Sequence, residues 1–406
     1  MPNLLWPGDH RAGVTFTDAT VVSALLRVER AWLVVLTNNH IAPPEANVDL
    51  PPVDVATLAI DSEDAGNPVV SLVAHVRERL GEPAASWVHR GLTSQDVLDS
   101  AMMLCAQDAL DTVLDMVRRQ LMTLIELAEH HRDTPMLART LTQPALPTTF
   151  GVHVSGWIQS LADAAETVTG VRERLCIQAG GAAGTMAAAA QLAQATGAAS
   201  PGDVAMKLAN DLAAELGLNT SPPWHSSRAA VTGIGDGLTR CCDAWGRIAR
   251  DVLQGSRAES GELTEPVRDN RGGSSTMPHK TNPVLSILLH RTAIAAPGLA
   301  STLHSAAAAA VDSRPDGSWH AEWDTLRHLA RRTVVAADHA TELLGGLTVH
   351  TEAMTKNLEA VPDLNAEQES IAEITGIRPD GTSATAIDQI IDVSLDRARA
   401  LIEGRS

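Results

Sequence analysis

The strongest constraint on this chain is a hydrophobic beat that recurs in three separate stretches. Leu110, Leu114, Val117, Leu121, Leu124 and Ala128 follow one another in steps of four and three. Val154, Ile158, Leu161, Ala165 and Val168 do the same, as do Val231, Ile234, Leu238, Cys241, Trp245, Ile248 and Val252. Such a seam is what long helices need when they pack at shallow angles in a bundle. At about 1.5 Å per residue, each helix runs about 40 Å or more. Two more helices are predicted, from Pro283 to about Val311 and from about Ser318 to Leu344, with Pro297-Gly298 bending or interrupting the first.

Around this five-helix centre the chain changes character. Thr17 to Asn39 reads as one amphipathic helix, and the pairs Pro43-Pro44 and Pro51-Pro52 then break the pattern. The polar tail after Leu344 reads as a small helical cap. No strand pattern with period two persists, so the fold class expected is all-α. It divides into an N-terminal helical domain (1–92), a central bundle (93–344) and a short C-terminal domain (345–406).

Composition narrows the function. The formal net charge of −18 argues against binding nucleic acid or an anionic membrane surface. An anionic substrate therefore requires a locally basic pocket. With no Tyr, two Phe and eight Trp, the core is expected to be built from Leu, Val, Ile and Ala, which suits close-packed helices. The four cysteines form no C-x-x-C pair, pointing to a reducing compartment. No signal peptide and no run of about 20 apolar residues is read, so a cytoplasmic location is expected. No His, Cys and carboxylate cluster has metal spacing, and neither metal nor cofactor is expected. Gly180-Gly181-Ala182-Ala183-Gly184 follows no strand, so it fails the context of a dinucleotide-binding loop and reads as a close approach of helices.

Three segments carry chemistry. Gly272-Gly273-Ser274-Ser275-Thr276-Met277-Pro278-His279-Lys280-Thr281-Asn282-Pro283 offers a glycine entry, two hydroxyls, a cation and an amide, and ends on a helix-opening proline. Successive N–H groups in such a loop make an anion site, although a glycine–serine pair alone is an ordinary connection. Trp87-Val88-His89-Arg90-Gly91-Leu92-Thr93-Ser94-Gln95-Asp96 leads into a long helix, where Thr93 and Ser94 serve as a cap or as ligands at its positive end. Arg139-Thr140-Leu141-Thr142-Gln143-Pro144 on its own reads as a proline-punctuated helix start.

The first segment resembles, at every fixed position, the G-S-S-x-M-P-x-K-x-N-P signature of the fumarase/aspartase superfamily, and the other two match that family's regions in order. The resemblance implies a homotetramer with about twenty central helices and active sites built by three subunits. It implies addition or elimination beta to a carboxylate of a small anionic substrate. It also implies proton transfer by Ser274, with Ser275 as the competing serine, and charge stabilisation by Lys280, Asn282, Thr93, Ser94 and Gln143. Substrate contacts are implied for His89, Arg139, Thr140, Met277 and His320, with capping equally open for His89 and packing against tryptophan for His320. Arg139, Lys280 and Arg271 are expected to offset the substrate's charge, and His130-His131 to be solvated.

Within the superfamily the chain is similar to the branch that closes a lactone, the 3-carboxy-cis,cis-muconate cycloisomerases. Leu141 stands where lyases carry a histidine. Trp319-His320-Ala321-Glu322-Trp323 and Asp133-Thr134-Pro135-Met136 are similar to cycloisomerase strings, and a chain without Tyr lacks the Tyr-Arg arm of adenylosuccinate lyases. A fumarate-releasing lyase on the same scaffold is the alternative, followed by an inactive structural homologue.

Overall fold

The computed structural model describes residues 3–268, 271–274, 276–277, 280–364, 366–377 and 386–404. Four helices come first: α1 (Asp18–Asn38), α2 (Val55–Ala65), α3 (Pro68–Arg79) and α4 (Ala84–Trp87). α5 (Ser94–His130) is the longest element, and its 37 residues span about 55 Å. A hairpin of β1 (Pro135–Thr140) and β2 (Gln143–Thr149) turns the chain into α6 (Phe150–Glu173). The short α7 (Ala187–Ala195) and α8 (Pro201–Leu216) precede α9 (Ala229–Gly255). After β3 (Leu263–Thr264) come α10 (Val284–Ala308) and α11 (Gly317–Gly345). β4 (Thr348–Val349), α12 (Thr351–Glu359), α13 (Ala366–Thr375) and α14 (Ile387–Ile402) complete the chain.

The three seams lie on α5, α6 and α9, and every residue in them is buried. They pack with α10 and α11 into the expected five-helix centre, and one continuous apolar core runs from Phe16 to Ala398. The mostly helical class holds, with corrections. Residues 135–149 form an antiparallel ribbon, with Thr140 opposite Gln143 and Pro135 opposite Thr149. Pro144 and Pro147 blur any alternation there, and a two-stranded ribbon tolerates prolines because each strand has an open edge.

α10 also runs unbroken through Pro297. That proline removes the hydrogen bond to the Ala293 carbonyl. The helix is clamped at that turn, because Gly246 of α9 lets Ala293 approach so closely that a β-carbon on Gly246 would lie 2.4 Å from the Ala293 methyl. By length and composition α10 is apolar enough to cross a membrane, yet it is packed against α9 and α11, with Leu285, Leu289, Ala296 and Leu303 buried.

Candidate active site

The first motif folds at one end of the bundle. Thr93 caps α5, and its own N–H donates to Asp96 Oδ2 at 3.0 Å. Asp96, 1% exposed, also accepts from the amides of Gly180 and Gly181 at 2.9 Å each and pairs with His225 Nε2 at 3.0 Å. The glycine-rich loop is thus a ligand for a carboxylate rather than a helix contact. A β-carbon on Gly180 would lie 2.5 Å from His225. One turn along α5, Asp99 takes two bonds from Arg228, whose guanidinium also pairs with Glu322 at 2.6 Å. All three are buried, and the two carboxylates raise the Arg228 pKa well above its ordinary value, against the opposing effect of burial.

The tryptophan–histidine string belongs to this framework. Trp319 Nε1 donates to Asp99 at 2.9 Å, and Glu322 is the partner of Arg228. His320 lies edge-on to Trp319 and tilted against Trp323, and its two ring nitrogens lie 3.0 and 2.8 Å from the carbonyls of Asp316 and Gly66. Both nitrogens are engaged, which favours packing over proton delivery. Arg314 is a residue that no local pattern singled out. Its Nη1 donates to Thr93 Oγ1 at 3.1 Å, and among the described residues it has no carboxylate partner. It lies 221 positions from Thr93, and only the fold brings the two together.

The other two motifs gather at the opposite end. Leu141 (φ 49°) and Thr142 (φ 73°) form the two-residue turn between β1 and β2, a left-handed conformation that normally goes to Gly or Asn. Leu141 is 96% exposed, and Thr140 and Gln143 flank it in solvent. Arg139 is bidentate on the buried Glu262, at 3.1 and 2.8 Å, and Asn357 holds the same carboxylate at 2.7 Å. The arginine's charge is therefore matched within the chain and anchors the hairpin. Arg271 is likewise paired, with Glu342 at 2.5 Å, and Arg11 joins the same carboxylate at 2.8 Å. Those two guanidinium groups hold the Glu342 carboxyl below the usual range despite partial burial. His131 corrects an expectation, because it is buried rather than solvated. Its Nδ1 lies 3.0 Å from Thr134 Oγ1, and burial lowers its pKa.

The signature loop is closed at a neck. The Gly272 carbonyl accepts from Asn282 N at 2.8 Å and from Asn282 Nδ2 at 2.9 Å. Inside the loop, Ser274 Oγ accepts from the N–H groups of Met277 at 3.1 Å and Thr276 at 3.4 Å. Two amide dipoles on one hydroxyl oxygen stabilise it as an alkoxide. Lys280 is exposed and has no carboxylate partner among the described residues. Ser275, the competing serine, lies outside the described residues, as do Pro278 and His279. Just beyond the loop, Glu265 caps α10 by accepting from Leu285 N at 2.9 Å and Ser286 N at 2.6 Å.

Within one chain, then, His89, Thr93, Ser94, Arg314 and His320 stand at one end of the bundle, and Arg139–Gln143, Ser274, Met277, Lys280 and Asn282 stand at the other. The length of α5 separates them. No metal-ligating group of three occurs among the described residues.

A sequence family described as lyase matches residues 52–298, more than half of the chain. The chain belongs to the fumarase/aspartase superfamily. It is 38% identical over 355 residues to a nitrosuccinate lyase of Streptomyces davaonensis, covering 86% of this chain and 74% of that one. To a 3-carboxy-cis,cis-muconate cycloisomerase of Pseudomonas aeruginosa it is 37% identical over 341 residues, 83% of this chain and 71% of that one. The crystal structure of the 3-carboxy-cis,cis-muconate lactonizing enzyme of Pseudomonas putida superposes with a TM-score of 0.80 at 31% identity, covering 96% of this chain and 85% of that one. This superfamily member is thus an enzyme similar both to a relative named a lyase and to relatives named cycloisomerase or lactonizing enzyme.

Proposed function

We propose that this enzyme makes or breaks a bond beta to a carboxylate where the moving group is a stable anion, and that its reaction is the lactonisation of 3-carboxy-cis,cis-muconate. Leu141 is the observation that carries the reading. The tip of the hairpin, where lyases of the superfamily carry a histidine, here holds an apolar side chain that cannot pass a proton. An amine or alkoxide leaving group needs a general acid, whereas a carboxylate does not. In the lactonising direction a substrate carboxylate oxygen bonds to the alkene carbon. The π electrons move to the alpha carbon and its carboxyl group, and the alpha carbon takes a proton from the Ser274 hydroxyl. The resulting Ser274 oxygen is received by the amides of Met277 and Thr276, and Lys280 neutralises the aci-carboxylate. His89, Thr93, Ser94 and Arg314 hold the remaining carboxylates, with Thr140, Gln143, Met277 and Asn282 closing the opposite wall.

The separation of the motifs supports a site completed between copies of the chain, in a homotetramer. Leu141 projects into solvent, and Ile287 and Ile294 leave an apolar stripe on α10 uncovered. Contact between copies would cover both. The second reading is elimination of nitrite, also a stable anion, and the relative from Streptomyces davaonensis favours it.

The test is a pair of assays on purified protein: ultraviolet loss of 3-carboxy-cis,cis-muconate, and nitrite release from nitrosuccinate. Consumption of the muconate at enzymatic rates supports the proposal, and nitrite release alone selects the second reading. Ammonia release from an amino-substituted succinate as the main activity would overturn both.

A further inference from the structure

We propose that Glu29 is a positioning residue that presents His89 to a substrate carboxylate as a cationic ring, an inference that rests on the carboxylate site proposed above. Glu29 lies on α1, outside all three motif segments, and it is 1% exposed. Its Oε1 lies 2.6 Å from His89 Nδ1, whereas Oε2 has no partner among the described residues. The turn around His89 is held from two further directions. Arg77 of α3 donates to the Val88 carbonyl at 2.6 Å, and Trp32 Nε1 of α1 donates to the Arg90 carbonyl at 2.6 Å. His89 itself sits at φ 60°, a conformation disfavoured for a non-glycine residue and one that persists only where surrounding contacts impose it.

These contacts fix the direction of the ring. With Nδ1–H donated inward to Glu29, Nε2 points away from the buried carboxylate, toward the part of the side chain that solvent reaches (19% exposed). An orienting carboxylate behind an imidazole sets which nitrogen faces outward. Nε2 carries a hydrogen in this arrangement only as the imidazolium. The Glu29 carboxylate, with one oxygen unpartnered and the Arg77 guanidinium nearby, holds a buried negative charge directly behind the ring. The ring so held lies four residues before Thr93, whose hydroxyl accepts from Arg314. It adds a positive donor to the same end of the bundle as Thr93 and Arg314.

The test uses tricarballylate, a non-reacting tricarboxylate, titrated calorimetrically into the full-length protein. Glu29→Gln keeps an acceptor for Nδ1–H and the side-chain volume but removes the charge, and Glu29→Met removes both. Affinity should fall at least fivefold in Glu29→Gln and further in Glu29→Met. Neither should lower affinity in a His89→Gln background, and in the muconate assay Glu29→Gln should raise KM while kcat stays within about threefold. Unchanged tricarballylate affinity in Glu29→Gln would overturn the inference, as would a wild-type protein that does not bind tricarballylate. Binding by wild type that is lost in Glu29→Gln, with no muconate turnover, would leave the inference standing and refute only the proposed reaction.

Discussion

Replacing Gly272 by alanine tests whether the neck of the signature loop is part of the machinery. Gly272 sits at φ 74°, and a β-carbon there would lie 2.3 Å from the Asn282 carbonyl oxygen and 3.0 Å from its nitrogen. Neither neighbour is the free end of a flexible side chain, so the neck must open by about an ångström to reach ordinary van der Waals contact near 3.5 Å. Opening it breaks both bonds to the Gly272 carbonyl, at about 1 kcal/mol each. The left-handed backbone adds about 1 kcal/mol more for a residue with a β-carbon. A cost of about 3 kcal/mol that falls on the closed loop corresponds to roughly a 100-fold loss of kcat/KM. Gly261→Ala is the control, because it has the same backbone sign (φ 62°) and nothing within 4 Å of the added carbon. We expect Gly272→Ala to lose about two orders of magnitude in the muconate assay with little change in Tm, and Gly261→Ala to keep its activity. Wild-type kcat/KM in Gly272→Ala would refute the reasoning.

Further outcomes follow from the same structure. Lys280→Ala should lower kcat by about 100-fold or more without changing the assembly seen by light scattering, because it removes the exposed cation that the proposed reaction uses to neutralise developing charge. Arg228→Met strands Asp99 and Glu322 as buried unpaired carboxylates, so denaturant titration should show a loss of about 3–5 kcal/mol. His339 is buried beside Arg11 and Arg291, and burial with those cations pushes its pKa down to about 4. Its folded value lies below the unfolded one, so the stability it contributes is full above pH 6.5 and is lost as pH falls toward 4. Unfolding free energies measured across that window should drop by roughly 3 kcal/mol at most in the wild type and stay flat in His339→Phe.

How far the sequence could be read depends on how local the cause was. The seams on α5, α6 and α9 were legible because one buried face per helix leaves a period in the chain. The cap at Thr93 was legible because its oxygen and the helix start are neighbours. The 135–149 ribbon was hidden, since Pro144 and Pro147 and two left-handed turn residues without glycine obscure the usual hairpin signals. Pro297 misled, because the force that keeps α10 continuous is packing against Gly246, 51 positions away in the chain. Asp96 was within reach as the third residue after the Thr93 cap. Its bonds to Gly180, Gly181 and His225 were not, nor were Arg314 on Thr93 and Glu29 on His89. Each of these joins residues at least 60 positions apart, and nothing in local spacing encodes such a meeting.

The most direct measurement mixes two inactive variants. Thr93→Ala and Ser274→Ala are each purified, combined in equal amounts, dissociated under mild denaturant and reassembled before the muconate assay. If the hydroxyl of Thr93 and that of Ser274 meet only across subunits, random reassembly restores about a quarter of the sites to wild-type composition. Activity near that fraction is the predicted result. No recovery from a mixture shown to contain hybrid assemblies, or full activity in a stable monomer of 42.8 kDa, would contradict the account.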